Sequence, residues 1–480
     1  MKLFLDQLAT ENAEHIHVAQ ELQKRHEIVY WIRMEHIALL DKSKFPGTIF
    51  HNYQDAVNGI PPKEIDASAF APWSRNDIIA FSEWETEILS MMDKWYPEWP
   101  VNQRKDFYND LLRYWGGVLD QCAPDCVVFN APPHQMFNFV LYAIAKHRGI
   151  KTILFDGISL KDRLILYNDY KIGNETLVNA SKHGFGDHKV LLSDLKPYLQ
   201  EYYRWVSESP DPSPPYVAEF TRMISGWPRW RKRLVAYWPF VKDGSIFERA
   251  VLRIFKMLKP DLKNIYKRCS KDADLNKPFI YIPLHFQPEC TTSPQGGIYV
   301  NQLLMIKTLA MALPEGWELY IKEHHGQWKI NGGDFVPFRY RGFYEEIVKL
   351  PNVRLIPIGT NTFRLCDSAK ATATVTGTAG WESILRGKCA LVFGYPWYAQ
   401  APGVIRVGSV EDCRNAFRKI IDGYKPDKSL LFKYLALLDE VSFSGFHGAS
   451  SGRVKIVGGE EQWMNLYRTI EHALESRKFK

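Results

Sequence analysis

Residues 371–394 read ATATVTGTAGWESILRGKCALVFG, and the fold is decided by how this stretch is parsed. Two apolar, strand-like runs flank a small-residue turn, Thr376-Gly377-Thr378-Ala379-Gly380, which opens a helix carrying a lone carboxylate, Glu382. Strand, tight turn, helix and strand in that order is the unit of a parallel sheet with helices on its faces. In such sheets ligands bind past the carboxyl ends of the strands, at helix N-termini whose free N–H groups and dipole favour anions. Glycines there let a phosphate approach the backbone, threonine hydroxyls add donors, and Glu382 one turn into the helix can accept hydrogen bonds from a ribose diol. Tight packing explains the same small residues equally well, so the turn alone leaves both readings open.

The same rhythm extends upstream. FIYIPL (279–284), a helix over 299–312, ELYIKEH, a helix over 342–350, NVRLIPI and a short helix over 361–367 lead into the opening stretch with the connection lengths of βα loops. This predicts a Rossmann-like second domain over 276–425. Two polar clusters fall at its strand ends. YIKEHHG places Lys322, His324 and His325 where a phosphate would sit. PLHFQPECTTSPQGG (283–297) fills a long loop with His285, Gln287, Glu289, Thr291, Thr292 and Ser293. Three clusters on one sheet end point to a binding site more strongly than any one of them.

At 480 residues the chain exceeds what one core usually serves, about 250 to 300 residues, so a second domain is expected. KLFLD, the helical spacing of ENAEHIHVAQELQKR, EIVYWIR, CVVFNA, the helix through HQMFNFVLYAIAKHRG and KTILFDG give another alternating array over 1–275. It is interrupted by helical insertions at about 75–122 and 200–270. Helices near 410–422, 428–440 and 460–477 close the chain, and residues 426–480 are expected to pack back across both domains. Strand KTILF ends in Asp156-Gly157; a carboxylate past a strand end can act as nucleophile or base, or as an ordinary turn residue. His134 and Glu289 join Asp156 as catalytic candidates. Asn12, Glu14 and Asn130 are candidates for holding an acceptor.

With 46% hydrophobic and 24% charged residues the composition is that of a globular protein. No apolar run approaches the roughly 20 residues of a membrane span, and Asp6 arrives too early for a signal peptide, so a cytoplasmic location is expected. Seven scattered cysteines without C-x-x-C pairs fit reduced thiols. A net charge of +7 suits anionic substrates or an anionic membrane surface without requiring nucleic acid. SESPDPSPP (207–215) reads as a loop or linker. The segment 222–240 interleaves Arg222, Arg229, Arg231, Lys232 and Arg233 with Trp227, Trp230, Trp238 and Phe240, which fits either a membrane interface or a solvated helix face. The D-x-D string Asp272-Ala273-Asp274 falls in the interdomain linker, and no metal is expected.

The Asp156-Gly157 pair, the Gln287 loop, the K-x-H strand end and TGTAGWESILRGKCALVFGYPWYAQAPGV together resemble the bacterial capsule polysaccharide synthesis family, most specifically over 281–404 and more weakly over 126–163. Its characterised members include retaining β-Kdo transferases. The resemblance implies an α/β GT-B fold: two Rossmann-like domains facing a central cleft, with a helical aromatic and basic insertion and C-terminal helices. It implies a nucleotide-sugar donor, CMP-Kdo or a related CMP-activated ulosonic acid, a glycan or glycolipid acceptor, possible peripheral membrane association and no cofactor. Asp156 matches the nucleophile that forms a covalent sugar intermediate. His324 matches the histidine of a His-Pro pair that contacts the donor phosphate, with His325 replacing the proline. Thr376, Gly377 and Glu382 match the donor turn and its ribose-holding glutamate, and Thr378 and Ala379 complete that turn. Gln287 matches a loop glutamine. An inverting transferase using a UDP- or GDP-hexose, a polyol-phosphate transferase, and a non-enzymatic scaffold on the membrane face are the competing readings.

Overall fold

A computed structural model describes residues 1–8, 15–33, 40–160, 162–210, 261–287, 291–330, 336–445 and 460–475. The segment 222–240 and the candidates Asn12, Glu14 and Glu289 lie outside them. Two sheets organise the chain. The first contains β1 (Lys2–Asp6), β2 (Glu27–Arg33), β3 (Ile49–Asn52), β4 (Cys126–Phe129), β5 (Lys151–Gly157), β6 (Arg163–Tyr167) and a late strand, β13 (Ser442–Ser444). The second contains β7 (Phe279–Pro283), β8 (Glu318–Lys322), β9 (Val353–Leu355), β10 (Ala371–Thr374), β11 (Cys389–Val392) and β12 (Val404–Arg406).

Their orders are β13-β6-β5-β4-β1-β2-β3 and β12-β11-β10-β7-β8-β9. In the first, the chain moves outward through β1, β2 and β3 and returns on the other side of β1 as β4. In the second it repeats that move through β7, β8 and β9 and returns as β10. The order therefore reverses between β1 and β4 and between β7 and β10, and at such a reversal the two adjoining βα loops diverge and open a crevice. The second sheet is parallel throughout, as are β1 to β5. Strands such as EIVYWIR and CVVF are buried on both faces because helices cover both, which is why they read as near-continuous apolar runs.

Two features depart from the expectation. β5 turns back into an antiparallel β6, and β13 joins β6 antiparallel, so the tail completes the first sheet. The second unit also starts before 276: helix Leu262–Cys269 buries Leu262, Ile265 and Tyr266 in the second core. Helix Glu460–Glu475 lies against helix His15–Gln23, and Glu471 pairs with Arg25 at 2.8 Å and with His26 at 2.9 Å.

The halves are joined through packing. Trp381, Ile384 and Tyr398 of the second half belong to the same core cluster as Tyr203 of the first and Phe432 and Leu435 of the tail. Trp381 Nε1 donates to Tyr202 at 2.8 Å, and Arg386 Nη1 reaches the carbonyls of Val206 and Ser209 at 2.7 and 3.0 Å, capping helix Pro197–Glu208. Asp274 of the D-x-D string accepts from Asn276 N at 3.1 Å, as a turn residue does. Among the described residues no group of three or more His, Cys, Asp or Glu is placed to hold a metal, and no helix is long and apolar enough to cross a membrane.

Candidate active site

The turn after β10 is held from beneath by two side chains. Gly377 N donates to Thr374 Oγ1 at 3.0 Å, and His285 Nε2 lies 3.1 Å from that oxygen and 3.4 Å from Thr376 N. A ring nitrogen that takes the Thr376 N–H is the acceptor, so this network puts the His285 proton on Nδ1. A Cβ at Gly377 would lie 2.8 Å from Thr374 Oγ1 and 3.1 Å from His285 Cε1; one at Gly380 would lie 2.5 Å from the Tyr398 hydroxyl. That hydroxyl donates to the Gly377 carbonyl. Packing thus accounts for both glycines.

What packing leaves unexplained is the outer side of the turn. Helix Thr378–Leu385 begins at Gly377 with no side-chain cap, its first N–H groups lie beside an exposed Thr378, and Ala379 is half-buried. Glu382 on the same helix is half-buried, and among the described residues no hydrogen bond to its carboxylate contributes to its pKa. Burial pushes its pKa up to about 7, opposed by Arg386. Arg386 is itself committed to Asp367 at 2.6 and 2.7 Å. An uncapped helix start can receive an anion, and a carboxylate one turn along can accept from hydroxyl groups.

The neighbouring loops are more structural than their composition suggests. Lys322 is 7% exposed and turns its ammonium to Thr360 O at 2.6 Å and Thr362 Oγ1 at 2.7 Å, and burial lowers its pKa to about 8. Instead of facing the turn after β10, it fixes the loop after β9. Gln287 is equally committed: its backbone N and O pair with the Gln327 side chain at 2.8 Å each, and its Nε2 donates to Thr292 Oγ1 at 2.6 Å. His324 Nδ1 accepts from Gly326 N at 3.1 Å, and its ring lies 4.5 Å from that of the exposed His325. The two histidines are the polar side chains of this strand end that remain nearest the surface. Beneath them Glu323 and Arg339, both buried, pair at 2.6 Å, and Arg339 Nη2 holds the His285 carbonyl at 3.1 Å.

In the first half, functional groups gather at the ends of β1, β4 and β5. Asp156 accepts on Oδ2 from the Tyr167 hydroxyl of β6 and from Gln295 Nε2 of the second half at 3.2 Å. Burial raises its pKa to about 6, while these donors, Gly157 N and the charge of His134 pull it down. His134 Nδ1 donates to Pro132 O at 3.0 Å, which fixes the ring beside Asp156. Asn130 is half-buried beside β1, its N donating to Asp6 O at 3.1 Å. The structure thus brings Asp156, His134 and Asn130 to one strand-end cluster, and Thr376, Gly377, Thr378, Ala379 and Glu382 to another.

Three residues that join the first cluster are absent from the sequence-based set. Asp6 ends β1 buried at the reversal of strand order, bonded to Asn138 Nδ2 at 2.9 Å, with its pKa raised by burial to about 7. Its position at the end of the first strand was the available signal, obscured by its reading as an early charge. Gln295 was visible only as part of a polar loop. Tyr167 lies in a strand whose pattern gave no warning of the antiparallel return.

Compared with known proteins, residues 276–437 match the family model described as capsule polysaccharide biosynthesis protein, and the chain resembles that family over this stretch, about a third of its length. No curated protein matches the chain. Among solved structures, it is similar to the Thermosulfurimonas dismutans KpsC β-Kdo 2,7 transferase (11% identity, TM-score 0.29, covering 75% of this chain and 97% of that one). The β-Kdo 2,4 transferase of the same organism's KpsC gives 13% identity and a TM-score of 0.30, covering 65% of this chain and 82% of that one. The UDP-GlcNAc 2-epimerase of Methanocaldococcus jannaschii gives 10% identity and a TM-score of 0.26, covering 92% and 99%. Overlaps this loose decide no activity; the two-domain α/β architecture stands on the strand orders above.

Proposed function

We propose that this chain is a glycosyltransferase of bacterial surface polysaccharide synthesis, passing a sugar from a CMP-activated ulosonic acid to a glycan acceptor with retention of configuration. The observation that carries the reading is Asp156: a carboxylate at the end of β5 that is also hydrogen-bonded, through Gln295, to the half of the molecule holding the nucleotide-like turn. The family resemblance supplies the donor class, and the match over 276–437 supports the setting.

The chemistry follows as two displacements. In the first, an Asp156 oxygen bonds to the anomeric carbon while the bond from that carbon to the phosphate oxygen breaks, its electron pair leaving with CMP. The leaving phosphate meets the N–H groups at the start of helix Thr378–Leu385 and the His324 and His325 rings, and Glu382 accepts from the ribose. In the second, an acceptor hydroxyl attacks the same carbon, the aspartyl ester breaks, and the hydroxyl proton passes to a base, for which His134 is the candidate. Two inversions give retention. Since Asp156 acts as the carboxylate, turnover is expected to fall as pH drops through about 6.

The test is Asp156→Ala assayed with CMP-Kdo. Turnover is expected to vanish while CMP still binds by calorimetry, and the wild-type protein alone is expected to gain the mass of one sugar at Asp156. Release of UDP or GDP from a hexose donor, with none of CMP, would overturn the donor class. Turnover surviving in the Ala variant would overturn the covalent mechanism.

A further inference from the structure

We propose that Gln295 is a cross-domain positioning residue: reaching from the donor half, it fixes the Asp156 carboxylate and ties its reactivity to contact between the two halves. This rests on the role proposed for Asp156. Gln295 is 6% exposed, and its Nε2 donates to Asp156 Oδ2 at 3.2 Å, the oxygen that Tyr167 also reaches from β6. Two donors arriving on one oxygen from different elements define the plane of the carboxylate.

The residue is built in rather than incidental. Its backbone carbonyl accepts from Tyr395 N at 2.8 Å, and the flanking chain is pressed against the donor turn so closely that only glycine fits. A Cβ at Gly394 would stand 2.5 Å from Gln295 O and 2.8 Å from Thr376 Cγ2, and one at Gly296 would stand 2.5 Å from Thr292 O and 2.8 Å from Val375 Cγ1. Thr376 therefore touches Gly394, Gly394 touches Gln295, and Gln295 holds Asp156. A second contact runs beside this path, where the Tyr395 ring meets Tyr170 of the first half at 6.1 Å. Displacing the nucleotide turn displaces the donor to the nucleophile.

The consequence is electrostatic. A hydrogen bond to the ionised form favours it, so Asp156 holds its proton less tightly when Gln295 is in place than when the halves part. Among the described residues, the titratable groups acting on the carboxylate are Tyr167 from β6 and His134 from the loop before helix Met136–His147; both stay with the first half. Among the described residues, Gln295 is the contribution that depends on the other half.

The experiment reads Asp156 directly. In protein carrying 13C-labelled aspartate, with Asp156→Asn to assign the signal, the carboxyl is titrated in wild type, Gln295→Ala and the near-isosteric Gln295→Met. Both variants are expected to titrate about one pH unit higher, a roughly tenfold gain in proton affinity. Circular dichroism confirms folding, and the Met side chain guards against collapse of the buried site. An unchanged titration in the folded variants overturns the proposal whatever donor the protein uses. Where CMP-Kdo is turned over, kcat is expected to fall roughly tenfold or more with donor KM within about twofold; a rise in KM alone would make Gln295 a donor contact and overturn the positioning role.

Discussion

Replacing Glu382 with Gln should strengthen the empty protein and weaken its grip on nucleotide. The folded protein keeps the Glu382 proton up to about pH 7, whereas the unfolded chain releases it near 4.5. Between those values the folded state binds more protons, so the fold loses stability as pH rises, and above 7 the penalty is fully present. The neutral amide removes it: the thermal midpoint of Glu382→Gln should exceed wild type at pH 8 and match it near pH 4.5. Binding runs the other way. At pH 6 a group with a pKa near 7 is only about one-tenth ionised, so a ligand that requires the carboxylate binds roughly tenfold more weakly than at pH 8, about 1.4 kcal/mol. The assay is calorimetric titration with CMP at pH 6, 7 and 8 in buffers of differing ionisation enthalpy. Wild type should release close to one proton per CMP at pH 6 beyond whatever the nucleotide phosphate, with its own pKa near about 6, contributes. Glu382→Gln carries the phosphate effect alone and is the control. Equal affinity and equal pH dependence in the two proteins would mean that Glu382 does not touch the ribose and that burial alone explains its pKa.

Two further substitutions probe the scaffold under the turn. Arg339→Met leaves Glu323 buried with only Tyr344 and the His324 amide, and should cost about 3 to 5 kcal/mol in denaturant unfolding, most of it recovered in the Glu323→Leu/Arg339→Met double variant. Failure of the double variant to recover would show that the ion pair is needed for its geometry. Gly377→Ala places a Cβ 2.8 Å from Thr374 Oγ1 and should shift the turn, lowering CMP affinity about tenfold while unfolding stability drops by about 1 to 3 kcal/mol. Unchanged CMP affinity would separate the turn from the nucleotide site.

The second domain was legible because its strands are short apolar runs punctuated at regular intervals by helix-forming segments, and because ligand chemistry in such a sheet is confined to strand ends. That regularity located the turn at 376–380 and the helix after it. It could not tell which polar side chain at a strand end turns outward. Lys322 and Gln287 both sit where a ligand contact was expected, yet each satisfies neighbouring loops, since a buried ammonium or amide must find partners and the nearest ones are internal. In the first half the antiparallel return of β6 has no distinguishing period, and β13 comes from nearly 280 residues further on, so nothing local announces that Tyr167 faces Asp156.

The two carboxylates at the strand ends show why composition alone leaves the opening stretch ambiguous and geometry does not. Asp156 and Glu382 both carry a pKa raised by burial. Asp156 is met by Tyr167, Gln295 and Gly157 N, donors that favour its ionised form and fix its direction. Glu382 has Tyr202, Tyr281 and Tyr398 near it but a hydrogen bond from none of them. A carboxylate half-buried with no donor among the described residues is costly to the fold, a cost that the charge of Arg386 offsets in part and that a ligand bringing donors would offset further. The glycines of the turn answer to packing, therefore, while packing gives no account of Glu382, and it is on Glu382 that the proposed nucleotide site is tested.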